Sequence, residues 1–338
     1  MAAGIDDVAR QAGVSTATVS RALRGLPNVR EGTRERVRAA AAALGYVASP
    51  SAASLASGRT RAIGLISPVV SRWFFANVIE GAERTLRAQG FDLLLYTFEV
   101  TRGSGRTARV DPDVLRRRVD GVLVVGLPLE AEEVESLLTL GAPLVCVGWG
   151  GSGQATIRLD DRATGRAATE HLLGLGHRVV GHITGAPDDV SAWSPPVERE
   201  EGWREALAAA GLRAVESLRV HGGFDVAGGR ASMHRLLVQH PEVTAVFAAS
   251  DEMAMGAVLA LRDRGLRVPQ DVSVIGVDGH DLGELVGLTT MAQPVAEQGG
   301  LAARMVLEMI AGATVDPEVV VPTRLVVRTS TGPPPVFS

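Results

Sequence analysis

From Ala62 to the end of the chain, short apolar runs alternate with longer amphipathic stretches, and that alternation leaves few folds open. The runs at 62–67, 91–97, 121–125, 143–147, 179–184, 244–249 and 273–277 read as strands. The stretches at 74–89, 130–140, 161–175, 198–210, 226–239, 251–264 and 295–311 read as helices. Several of these stop at a glycine (Gly90, Gly141, Gly176, Gly211, Gly265, Gly312), the residue that most readily closes a helix. Such alternation predicts parallel sheets with helices on both faces. A body of roughly 270 residues is long for one such sheet, so two α/β lobes with a cleft between them are expected.

Composition supports an ordinary globular chain. Hydrophobic residues make up 46% of the 338 and charged residues 21%. No apolar run approaches the ~18 residues of a membrane span, so no membrane association is expected. The first ten residues hold two acids and lack an apolar signal core, so no secretory signal is expected. Cys146, the single cysteine, can form neither an internal disulfide nor a metal cluster alone. These features together favour the cytoplasm.

Charge is divided unevenly. Residues 1–61 carry nine arginines against four acids (Asp6, Asp7, Glu31, Glu35), a balance of +5, and the remainder carries −9. Every basic residue is arginine, which we ascribe to coding composition rather than to function. A small basic head on an acidic body predicts that the head alone meets a polyanion.

The head carries its own pattern. Ile5, Val8, Ala9 and Ala12 share one face of a helix, Gly13 supplies a turn, and Ser15 is suited to cap a second helix from Thr16 to Leu23. Val19 and Leu23 are expected to face inward, and a third helix at 33–44 to pack Val37, Ala41 and Leu44 against the pair. Two short helices about a glycine match the helix-turn-helix, in which the second helix enters the major groove. Thr16 and Ala17 would then reach base edges, and Arg21 suits bidentate contact to guanine. The hydroxyls of Thr18 and Ser20 suit phosphate oxygens. The same residues also fit a plain three-helix cap. Next comes a small-residue linker, 46–59, in which Ser49-Pro50 could open a helix too short to persist alone. On DNA, Leu55 would be an apolar wedge for the minor groove; otherwise the segment is a tether.

Ile5-Asp-Asp-Val-Ala-Arg-Gln-Ala-Gly-Val-Ser-Thr-Ala-Thr-Val-Ser-Arg21 resembles the signature of the LacI/GalR family of bacterial transcription repressors. The likeness runs on through Leu44-Gly-Tyr46, Leu55, Ala62-Ile-Gly-Leu-Ile66, Arg118-Val-Asp-Gly121, Leu175-Gly-His-Arg178 and Ala254-Met-Gly-Ala257. Val268-Pro-Gln-Asp-Val-Ser-Val-Ile-Gly276 and Leu288-Thr-Thr290 complete it. The resemblance implies an all-α helix-turn-helix head (1–46), a hinge (47–60), and a two-lobed α/β body like periplasmic binding proteins (61–330). A tail, 331–338, follows. Lobe 1 is expected at about 61–158 and 292–318, and lobe 2 at about 159–291 and 319–330. It further implies a homodimer on a near-palindromic double-stranded operator, with a small-molecule effector, a sugar or related metabolite, in the cleft. The short, proline-rich tail speaks against a tetramerising helix.

Matched position by position, the resemblance places Arg199, Phe224, Asp251, Asp278 and Gln293 at the effector, with Trp73 and Phe74 in the loop after the first strand. Read without it, Arg199 and Asp278 fit an ion pair, and Phe74 or Phe224 fit plain core. Departures from the usual pattern are Gly4, Arg24, Ala48, Ser49 and Ala53 around the head and hinge, and Gly126 and Gly148 where sugar-binding members carry asparagine and aspartate. The glycines make room for a larger or differently polar ligand.

Other motifs fail on context. Gly148-Trp-Gly-Gly-Ser-Gly153 has dinucleotide-loop spacing, but an extended stretch follows where a helix must open. His171, His177 and His182 lack metal-ligand spacing, and no nucleophile elbow or phosphate loop is present. No cofactor, metal or catalytic residue is expected. The alternatives are a solute-binding protein of a transport system and an α/β enzyme acting in the cleft.

Overall fold

The computed structural model describes residues 3–23, 25, 27–46, 59–97, 111–126, 131–148, 153–185 and 195–335. Arg24 and the expected hinge, with Ala48, Ser49, Ala53 and Leu55, lie outside them. The chain divides into two compact units, Met1–Arg61 with Arg117–Asp120, and Ala62–Arg116 with Gly121–Ser338.

The first unit holds three helices, α1 (Ile5–Ala12), α2 (Thr16–Leu23) and α3 (Glu31–Ala43). Val8, Val19 and Val37, one from each helix, are fully buried and meet among Ala9, Ala12, Ala22, Ala40 and Ala41. Small side chains let three short helices approach closely, so the core forms from few residues. Ala22 rather than Leu23 takes the inner position beside Val19; Leu23 and Leu44 pack at the edge, half-buried. Gly4 has no side chain to cap α1, but its N–H donates to the Asp7 carboxylate at 2.9 Å. In the same unit the Asp120 carboxylate accepts from Thr60 N–H (2.7 Å), the Thr60 hydroxyl (2.8 Å) and Arg61 N–H (2.9 Å).

The second unit contains two six-stranded sheets. The first takes β1 (Ala62–Ser67), β2 (Asp92–Thr97), β3 (Gly121–Val125), β4 (Leu144–Val147) and β5 (Ala155–Leu159), with helices α4 (Trp73–Ala88) and α5 (Ala131–Leu138) between strands. The second follows through α6 (Asp161–Gly174), β6 (Val180–Thr184), α7 (Pro195–Ala209), β7 (Arg219–His221), α8 (Val226–Gln239), β8 (Ala245–Ala248), α9 (Asp251–Asp263), β9 (Ser273–Asp278) and β10 (Thr289–Ala292). The chain then returns to the first sheet as α10 (Val295–Ile310) and β11 (Glu318–Val321), and closes on the second as β12 (Arg324–Val326). The sheet orders are β11-β5-β4-β3-β1-β2 and β12-β10-β9-β8-β6-β7. Every pairing is parallel except β10 with β12. Strands β1, β3 and β4 are buried at every position, because helices cover both faces. The lobe boundary expected at 318/319 falls inside β11, which pairs with β5; the first lobe therefore keeps the chain to Val321. At the helix ends, Gly90 (φ 72°) and Gly265 (φ 71°) take the left-handed conformation that closes a helix.

Three helix pairs meet backbone to backbone, each through two glycines. A Cβ on Gly165 of α6 would lie 2.2 Å from the Arg199 carbonyl, and one on Gly202 of α7 2.1 Å from that of Arg162. Gly229 and Gly256 join α8 to α9 in the same way, at 2.2 Å from the carbonyls of Met253 and Val226. Gly81 and Gly299 join α4 to α10, at 1.9 and 2.0 Å from those of Ala296 and Val78. No side chain fits such a gap.

The second lobe also buries His182. Its ring stacks on Trp203 (5.5 Å, 23°) and Phe247 (4.7 Å, 18°), and Nδ1 donates to the Phe247 carbonyl at 3.0 Å. Burial pushes this imidazole down to about 4, so it stays neutral in the folded protein. Among the described residues, no helix is long and apolar enough to cross a membrane.

Two outcomes are expected. Gly202→Ala should lower the unfolding free energy in urea by about 1–3 kcal/mol, the range for forced overpacking; an unchanged midpoint would refute the backbone contact. His182 contributes stability in full above pH 6.5, where both states are neutral, and loses it as pH falls towards 4 and only the unfolded state binds the proton. The span is worth about 3 kcal/mol. Stability should therefore fall less steeply with acid in His182→Phe than in the parent, and parallel curves would show that His182 carries none of the acid sensitivity.

Candidate functional sites: a nucleic-acid interface and an interlobe cleft

Helix α2 turns Val19 and Ala22 inward and leaves Ala17 and Arg21, one turn apart, exposed. Thr16, Thr18 and Ser20 flank them, half-buried. Ser15 starts the helix: its Oγ accepts from Thr18 N–H at 3.3 Å and pairs with the Thr18 hydroxyl at 2.9 Å. The Thr18 hydroxyl thus belongs partly to the cap. On α3 both Arg38 (3.6 Å) and Arg34 (3.5 Å) pair with Glu31, Arg38 exposed and Arg34 largely covered. The result is an exposed helix start carrying a small side chain, hydroxyls and one extended guanidinium. It has the size and donor set to enter a major groove.

The cleft is built where the carboxyl ends of both sheets meet the starts of helices. The Gly165–Gly202 crossing of α6 and α7 sets Arg199 against Asp161. Arg199 Nε donates to Asp161 Oδ1 at 2.7 Å, Nη1 donates to the Ala249 carbonyl, and both side chains are 7% exposed. A buried guanidinium held at two points is a rigid donor, and its cost in desolvation is offset only because the carboxylate is adjacent.

Asp278 ends β9 with φ at 133°, a conformation that side chains rarely adopt. Its Oδ1 accepts from Gln293 Nε2 at 2.7 Å, and its carbonyl accepts from Gln293 N–H at 3.1 Å. Burial pushes its carboxyl up to about 7, against the pull of Arg199 and with the further push of Asp251 and Glu252. Asp251 supports the same turn: Oδ2 accepts from the N–H groups of Gly279 (2.9 Å) and His280 (2.8 Å). Its Oδ1 lies over Gly276, where a Cβ would come within 2.1 Å. Burial raises this carboxyl to about 6, opposed by those N–H groups.

Trp73 and Phe74 are the first residues of α4 rather than loop residues, because the helix starts directly after Arg72. From the first lobe, the Trp73 ring stacks on His280 of the second at 4.9 Å and 21°, and the Trp73 backbone N–H donates to Glu252 Oε1 at 3.4 Å. Phe74 packs edge-on against Phe75 at 5.3 Å. Gly126 (φ 58°) faces Phe75, where a Cβ would meet the ring at 2.7 Å, whereas one on Gly148 would find ordinary contact with Phe74 at 3.9 Å. Phe224 (φ 53°) lies against Gly185 and Pro196 at the end of β6.

The structure thus bonds Gln293 to Asp278 at the turn that Asp251 holds, pairs Arg199 with Asp161 instead, joins Trp73 to the second lobe, and packs Phe74 against the first lobe's core and Phe224 against the second's. Sequence reasoning missed Asp161, Glu252, His280, Phe75 and Gln298. Asp161 reads as an ordinary first-turn acid, and only the glycine crossing reveals its partner. The loop spacing at Gly148 leads into strand β5, not a helix, as its extended character implied. His171 and His177 bond to threonine and serine hydroxyls, and His177 also to the Gly332 carbonyl. Among the described residues no three His, Cys, Asp or Glu groups stand together as a metal site would need.

Comparison with known proteins finds relatives for both parts of the chain. Residues 4–49 match the bacterial regulatory proteins of the lacI family, and 169–331 match a periplasmic binding protein-like domain. The HTH-type transcriptional regulator CelR of Thermobifida fusca is 35% identical over 341 residues, covering 96% of this chain and 97% of that protein. A CelR–cellobiose complex superposes with a TM-score of 0.71 at 34% identity, covering 97% and 99%. A lac repressor dimer bound to operator and the anti-inducer ONPF gives 0.84 at 25% identity, covering 98% and 100%. With a basic helix-turn-helix ahead of a two-lobed body, and with likeness of this length, the chain belongs to the lacI family of bacterial regulatory proteins.

Proposed function

We propose that this chain is a cytoplasmic transcription repressor that binds a near-palindromic operator as a homodimer and responds to a sugar or related metabolite held between its lobes. The observation that carries the effector half is a pair of buried groups, the Arg199 guanidinium held by Asp161 and the Asp278 carboxyl at the end of β9, near enough for the guanidinium to pull on its charge. A fixed donor and an acceptor of this kind suit hydroxyl recognition. Trp73, Phe74 and Phe224 supply aromatic surface for a ring, and Asp251 and Gln293 hold the turn that carries Asp278. The sugar complex of the CelR relative supports this reading. No chemical step is assigned to the cleft.

The operator half rests on α2. Thr16, Ala17 and Arg21 read base edges, and Thr18 and Ser20 contact phosphates. Leu55 in the hinge, 47–60, wedges the minor groove. For the second copy, Leu282, Leu285 and Val286 stand 51%, 81% and 38% exposed on one short turn, apolar surface that a partner would cover. Effector control follows from linkage: the ligand must bind the operator-competent state and its alternative unequally, or it shifts nothing.

Genomic fragments selected on the purified protein supply the operator, and a thermal-shift screen of sugars that includes cellobiose supplies the effector. Arg21→Ala should weaken the selected fragment by roughly 5–150-fold and leave the thermal shift intact. Asp278→Asn should keep operator affinity and abolish the effector response. Equal loss of both activities in either folded variant would defeat this division of labour, and indifference to fragment sequence at every salt concentration would defeat the repressor reading.

A further inference from the structure

The chain crosses between lobes beside the ligand-facing carboxylate, and a line of buried amides follows that crossing. Gln293 sits in the crossing between β10 and α10, and Gln298 sits in the first turns of α10 on the first lobe. Gln298 Nε2 donates to Gln293 Oε1 at 2.8 Å, and Gln293 Nε2 donates to Asp278 Oδ1 at 2.7 Å. Gln298 is 1% exposed, Gln293 7% and Asp278 8%. Two glutamines so deeply buried need a reason, since an apolar pair would fill the space without two polar groups to satisfy.

The reason lies in direction. A carboxylate only accepts, so Gln293 must turn its Nε2 towards Asp278 and its Oε1 away. Gln298 then has to present Nε2. A carboxylic acid at Asp278 has a proton to donate as well as lone pairs that accept, so it also accommodates the reversed Gln293 amide, which Gln298 as now placed opposes. The Gly81–Gly299 contact, one residue further along α10, fixes where Gln298 stands relative to α4.

We propose that Gln298 is a positioning residue for effector recognition: from the first lobe it orients the Gln293 amide, which holds the Asp278 carboxylate in the acceptor state that meets the ligand across the cleft. The groups facing that carboxylate are Arg199 from α7, Asp251 and Glu252 from α9, and Gln293 from the crossing, with His280 two residues on. The bearing of this relay on effector response rests on the reading of Asp278 as an effector contact; its geometry does not.

The test needs no effector. The full chain, labelled with ¹³C at the aspartate carboxyls, is titrated by NMR, with the Asp278 signal assigned by its loss in Asp278→Asn. In Gln298→Met, which keeps the volume and removes the donor, the Asp278 midpoint should rise by about one pH unit, a tenfold gain in proton affinity. Gln298→Leu, which removes the donor without adding a charge, should raise it also and serves if the methionine variant does not fold. A purely structural role would lower the melting temperature and leave the midpoint in place. An unmoved midpoint in either folded variant overturns the relay, whereas an intact effector response in Asp278→Asn overturns the reading of the cleft.

Discussion

Arg199 brings a permanent positive charge into the protein interior, and much of the second lobe is arranged so that it can stay there. A guanidinium out of water needs a carboxylate in contact and acceptors for its remaining protons. Asp161 and the Ala249 carbonyl provide these from two other elements. Asp161 reaches Arg199 because α6 and α7 touch at Gly165 and Gly202; any larger residue would push the helices apart and draw the carboxylate from the charge. The packing of small residues and the electrostatics of the cleft are therefore one constraint, expressed at two distances.

The same construction recurs. Gly229 and Gly256 seat α9, whose first turn carries Asp251 and Glu252 to the cleft. Gly81 and Gly299 seat α4 against α10, and so hold Trp73 at one wall and Gln298 behind another. Trp73 in one lobe and Asp251 and Glu252 in the other thus stand at helix starts pinned by glycine contacts further along the same helices. Placed on rigid elements, such groups keep their geometry better than they would on loops.

Legibility in the sequence followed the range of the interaction. The strands at Ala62–Ser67 and Gly121–Val125 and the helix Val226–Gln239 stand as read, because a continuous apolar run or an amphipathic face is a local property. Strands β7, β10, β11 and β12 were not read; they are three or four residues long, β7, β11 and β12 open on Arg219, Glu318 and Arg324, β10 opens on two threonines, and pairing with neighbouring strands makes them strands. The cleft divides in the same way. The resemblance pointed to Arg199 and Asp278, but nothing local pairs Arg199 with Asp161, 38 residues earlier, or Trp73 with His280. The glycines were legible as helix stops at Gly90 and Gly265; at Gly165 and Gly202 they serve contact between helices, which a single sequence read helix by helix does not reveal.

Strain completes the picture of the cleft. Asp278 holds a φ of 133°, and the surroundings determine it from several sides: Gln293 grips its carbonyl and its carboxylate, and Asp251 grips the next two N–H groups. A turn held this way stores conformational energy that a looser turn would release. Asp278 stands in the second lobe, Gln298 in the first, and Gln293 on the crossing between them, so the grip on that turn draws on both lobes. Were a ligand to prefer one geometry of that carboxylate, linkage would limit any shift of the lobes to that preference and no more.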